Sequence, residues 1–139
     1  MTPAQVDGDE GGVTVGQKLG RNMRWLLMAC GPMNLGGVAV FAPPSQYLRN
    51  VVGIPEAHPL YLWVLSAWLP LLGIAYFWMG WTGRTDRTFM AVGAAGKATF
   101  AVILLALWGN GELPMTAGFV GLPDLVLACV FAAWLWRTR

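Results

Sequence analysis

Charged side chains are scarce in this chain. They make up 12% of it, about half the share usual in a soluble domain. The net charge of +2 is too small for the basic footprint that nucleic acid requires, so no nucleic-acid partner is expected. Histidine occurs once, as His58, and one imidazole cannot build a bis-His haem site or a His-rich metal site within a chain. The two cysteines, Cys30 and Cys129, lie in apolar runs with no C-x-x-C pair, so they read as small apolar side chains rather than as a redox couple. No Ser/His/Asp set, phosphate loop or metal cluster is recognisable. Neither a metal nor a cofactor is expected, no residue is assigned a catalytic role, and an enzyme is the weaker expectation.

What the chain has instead is apolar length. Hydrophobic residues account for 56% of its 139 residues, and eight are tryptophan. A single domain of this size could not bury so much apolar surface in itself, so lipid must cover part of it. Four continuous apolar runs are expected to span a bilayer, over residues 23–42, 59–81, 88–108 and 114–136. Each has about 20 residues, the length a helix needs to cross about 30 Å of hydrocarbon. Barrel strands would be half as long and would alternate polar with apolar. Pro43-Pro44 ends the first run because neither residue can donate a helical hydrogen bond. Pro59 opens the second, where a missing N–H costs nothing. With short loops between them the spans should pack as an all-α, up-down four-helix transmembrane bundle.

Basic residues set the expected orientation. With the N-terminus inside the cell, the cytoplasmic segments hold Lys18, Arg21, Arg24, Arg84, Arg87, Arg137 and Arg139, and the outer loops hold only Arg49. Both termini are then cytoplasmic and the chain is a multi-pass protein of the cell membrane. Trp25, Trp78, Trp81, Trp134 and Trp136 mark the inner interface; Tyr61, Trp63 and Trp108 mark the outer one. Residues 1–22 read as a disordered cytoplasmic tail ending in a basic collar, with no signal peptide. The long outer loop, about residues 43 to 58, could hold a short surface helix capped by Ser45 and carrying Tyr47, Leu48, Val51 and Val52 on one side, or be irregular. Gly53-Ile54-Pro55-Glu56 echoes Gly121-Leu122-Pro123-Asp124, but four residues are too few to establish a repeat.

Three features converge on the middle of the spans. Pro32, Pro70 and Pro123 each remove a helical hydrogen bond and free a carbonyl one turn earlier, on Met28, Ser66 and Phe119. Lys97 and Asp124 are the only acid and base well inside the runs. A lone charge there costs about 2.5–3.5 kcal/mol on insertion scales, so the two are expected to face each other. Asn34 lies at a similar depth, where its amide could bond either charged group or a freed carbonyl. These three residues are the candidate ligand-binding set, at a kinked polar pocket near the midplane; otherwise Lys97 and Asp124 simply pin the third helix to the fourth. Alternatively, Pro123 begins a short last helix and Asp124 sits at its N-terminus. The small residues of Gly93–Ala98 and Gly36-Gly37 suit close helix packing. Glu56, Glu112 and His58 in the outer loops suit acid–base work less well than simple solvation.

Arg24-Trp25-Leu26-Leu27 opening the first helix, Gly36-Gly37 within it and Gly96-Lys97 in the third give the chain a resemblance to the small four-helix bacterial membrane proteins grouped as DoxX-like. That resemblance covers most of residues 21 to 137 and implies a compact bundle of the inner membrane. It also implies a kinship with a membrane subunit of a quinone-linked sulfur oxidoreductase, but it carries over no site residues. The expected function is a small membrane subunit or anchor in a larger complex, with a protein partner or a second copy of itself. The alternative is a binding protein or enzyme for a lipid-like or quinone-like molecule held near Lys97 and Asp124. A channel or transporter would need oligomerisation, because four helices enclose little lumen.

Overall fold

The computed structural model describes residues 17–138. Of the tail expected to be disordered over residues 1–22, the first 16 lie outside that range, while Gln17–Lys18 form a strand and Arg21 already begins a helix. Five helices follow one another: α1 (Arg21–Phe41), α2 (Gln46–Val52), α3 (Pro59–Thr82), α4 (Arg87–Gly109) and α5 (Met115–Arg137). The only strands among the described residues are two short pieces, β1 (Gln17–Lys18) and β2 (Arg84–Thr85), which pair antiparallel. α3, α4 and α5 are each long and apolar enough to cross a membrane. α1 reaches that standard together with α2, from which it turns by 103°.

The helix ends follow local chemistry. Asp86 caps α4, its Oδ1 accepting from the Phe89 N–H at 2.9 Å; that bond holds the exposed carboxyl below its ordinary pKa. His58 caps α3 through Nδ1, which accepts from the Leu60 N–H. Ser45 precedes α2 as expected, but its side chain makes no cap bond. Three arginines cap the C-terminal carbonyls of other helices. Arg24 on α1 donates to Gly80 and Trp81 on α3. Arg87 on α4 donates to Leu135 and Thr138 at the end of α5. Arg49 on α2 is buried and donates to Ala42 and Pro43. A guanidinium is suited to this, having several donors and a charge that complements the helix C-terminus.

The helices pack as two antiparallel pairs. α1 lies on α3, and α4 lies on α5. Glycine permits both approaches. A Cβ at Gly80 would fall 2.6 Å from the Arg24 carbonyl oxygen and 2.9 Å from the Met28 nitrogen; one at Gly121 would fall 3.3 Å from the Cα of Ala101. α3 and α4 are consecutive in sequence, yet they meet chiefly through side chains, Tyr76 stacking edge-on to Phe89 with ring centroids 5.7 Å apart. Short connections thus do not make every consecutive pair a close one. The two pairs join at one end, where Leu27, Cys30, Tyr76, Met90, Leu127 and Phe131 form a common core.

The pairs also repeat one another. Leu27, Cys30, Gly31 and Asn34 are the buried residues of α1, and Met90, Gly93, Ala94 and Lys97 are buried at the same spacing on α4. Leu62, Ser66, Gly73 and Tyr76 on α3 are matched in the same way by Ala117, Gly121, Ala128 and Phe131 on α5. Arg24 and Arg87 occupy matching positions and make matching caps. The repeat runs parallel, and it is invisible to residue identity because what recurs is burial.

Candidate ligand cavity

Lys97 and Asp124 come from the facing helices of the second pair. Lys97 Nζ donates to Asp124 Oδ1 at 2.5 Å. The lysine is 8% exposed and the aspartate side chain 18%. α5 is one helix from Met115 to Arg137 with Pro123 inside it, so Asp124 is mid-helix and not at a helix start. The Lys97 ammonium also lies 5.6 Å from the centre of the Tyr76 ring, within cation–π range.

Asn34 is buried on α1, but it reaches neither charged group. Its Nδ2 donates to the Cys30 carbonyl at 2.8 Å, one turn back on its own helix, and none of the proline-freed carbonyls receives it. Packing explains the difference. The Asn34 Cβ lies against Gly73, where a glycine Cβ would be 3.2 Å away. The short side chain is therefore held at the α1–α3 contact and cannot span to the other pair.

Between the pairs lies a cavity of about 550 Å³ whose wall includes Asn34, Tyr76, Lys97 and Asp124. It is within the range of small-molecule sites, and its lining is mostly apolar with a few convergent polar groups, as such sites usually are. Phe41 and Phe100, also in the wall, meet edge-on at 6.2 Å. Two wall residues on facing helices, Trp68 of α3 and Val92 of α4, are 60% and 65% exposed, so the cavity opens sideways between those helices. Gly36 and Gly96 line it too, and a Cβ at either would meet nothing within 4 Å.

Tyr76 is the residue that sequence reasoning missed. It is 2% exposed, its ring packs on Phe89 and Phe131, and its hydroxyl rests against Gly93, where any Cβ would overlap it. No hydrogen bond to that hydroxyl is formed among the described residues. The available signal was a tyrosine away from the ends of its apolar run, since a buried phenol ordinarily finds a partner. Ser66 Oγ is also buried without a hydrogen-bond partner, but it is not in the cavity wall.

The remaining candidates lie elsewhere. Cys30 is a free thiol in the core and Cys129 a free, exposed thiol on α5. Glu56 accepts from Gln46, and His58 is used as a helix cap. No group of three metal-ligating side chains occurs among the described residues. No family model, curated protein or solved structure matches this chain.

Proposed function

We propose that α1, α3, α4 and α5 cross the bilayer as an up-down four-helix bundle with both termini cytoplasmic, and that the cavity between the pairs binds one lipid-like or quinone-like molecule. The observation that carries this is the convergence of four polar side chains from four helices on one apolar cavity open at its side. A bundle built only to be packed would close that space, because a void forfeits dispersion contacts along its lining. The lateral opening would face lipid, so a ligand could enter without crossing water. The DoxX-like resemblance implies the same bundle.

The alternative, a subunit anchoring a larger complex, rests on the many exposed apolar side chains, among them Trp63, Ile74 and Val126. Acyl chains would cover these as well as a partner would. Native mass measurement of the protein in mild detergent tests the choice. One small hydrophobic molecule per chain should be retained, and Gly96→Trp should lose it, because an indole placed at an open wall position fills the space. A protein co-purifying at fixed ratio, with no small molecule in any preparation, would favour the subunit instead.

A further inference from the structure

We infer that the polar end of the bound molecule is an uncharged hydroxyl, held between Tyr76 and Asn34, so that the ligand class is a long-chain alcohol or a quinol. This rests on the cavity being a binding site and adds the chemistry of its head.

Charge comes first. Lys97 and Asp124 already neutralise each other across 2.5 Å. No other ionisable acid or base lines the cavity apart from the phenol of Tyr76. A carboxylate or ammonium head would therefore enter an apolar space with no counter-charge, or would break the existing pair and orphan one of its members; both are costly.

Hydrogen bonding comes second. The Tyr76 hydroxyl is a donor with no acceptor among the described residues. Asn34 uses one of its two Nδ2 hydrogens on the Cys30 carbonyl, and its Oδ1 is an acceptor with no donor among the described residues. Both residues are more than nine-tenths buried and both line the cavity. Their backbones also lie at neighbouring levels. Asn34 packs on Gly73, and Tyr76 lies one turn further along the same helix, a rise of about 5 Å. One hydroxyl between them accepts from Tyr76 and donates to Asn34, satisfying both. A ketone or ether can accept but has no hydrogen to donate, so it would leave the Asn34 oxygen without a partner.

The test uses purified protein in nanodiscs and four probes: farnesol, its methyl ether, its carboxylic acid, and decylhydroquinone. Binding is measured by titration calorimetry at pH 8, where the acid is ionised. Farnesol should bind about five- to tenfold more tightly than the ether, the value of one hydrogen bond, and at least tenfold more tightly than the acid. Asn34→Ala should erase the preference for alcohol over ether. Tyr76→Phe, which keeps the ring and its packing, should weaken both by a similar factor and preserve their ratio. Tighter binding of farnesol or of decylhydroquinone both support a hydroxyl head and distinguish a lipid alcohol from a quinol. Equal binding of acid and alcohol, or a preference that survives Asn34→Ala, overturns the inference while the cavity remains a site. If no probe binds, or if Gly96→Trp binds them all as the parent does, the cavity reading fails and this inference falls with it.

Discussion

Lys97 illustrates how far single residues can be read without a structure. A cation in hydrocarbon needs a partner, the chain offers one acid at a compatible depth, and the two are in contact. Asn34 illustrates the limit, because its depth was legible but its direction was not. That direction follows from Gly73 on another helix, which no local pattern reveals. The ion pair supports a prediction about coupling. Lys97→Met leaves Asp124 buried and unpaired, and Asp124→Leu does the same to Lys97. Each should cost up to about 3–5 kcal/mol, the value known for buried pairs in soluble proteins. The double variant leaves no orphan and should be milder than either single change. Thermal unfolding of the three variants in detergent checks this, and losses that simply add would show that the residues do not stabilise one another.

At the level of elements, the helices were legible to within two residues at each end, because long apolar runs bounded by proline, glycine and charge leave little choice. Their pairing was legible in part: short connections suggested that each consecutive pair of spans is close, and α1 with α3 and α4 with α5 are, whereas α3 and α4 meet chiefly through side chains. The deciding residues are glycines, and a glycine's role depends on what lies opposite. Gly80 meets backbone atoms of α1 at under 3 Å from its would-be Cβ, while Gly96 meets nothing within 4 Å. Alanine at Gly80 must therefore push α1 off α3. Alanine at Gly96 should be neutral or should stabilise by up to about 1 kcal/mol through helix propensity. The two variants are the same chemical change on neighbouring helices. Unfolding midpoints should fall for Gly80→Ala and hold or rise for Gly96→Ala. Equal losses would mean that small residues matter here only as a class, as their density in the sequence suggests.

For the whole molecule, the repeat of burial between the two pairs places the starts of α1 and α4, and the ends of α3 and α5, at one end of the structure. The basic residues gather there too. Arg24 and Arg87 are occupied with carbonyls, whereas Lys18, Arg21, Arg84 and Arg137 are exposed. At the opposite end Arg49 is buried and consumed in capping α1, which leaves even less free positive charge than the sequence suggested. The positive-inside rule acts on such flanking charges, so the end bearing Lys18, Arg21, Arg84 and Arg137 should be cytoplasmic. Cysteine labelling in intact cells tests this, starting from a variant in which Cys30 and Cys129 are replaced by alanine. Thr85, in the short α3–α4 connection, is buried and would report nothing, so Thr88 is the better position at that end. A cysteine at Gln46 or Asn110, both exposed, should react with an impermeant maleimide added outside. One at Thr88 should react only after the membrane is permeabilised. Labelling at Thr88 in intact cells, with Gln46 and Asn110 protected, would invert the orientation and put the charged end outside.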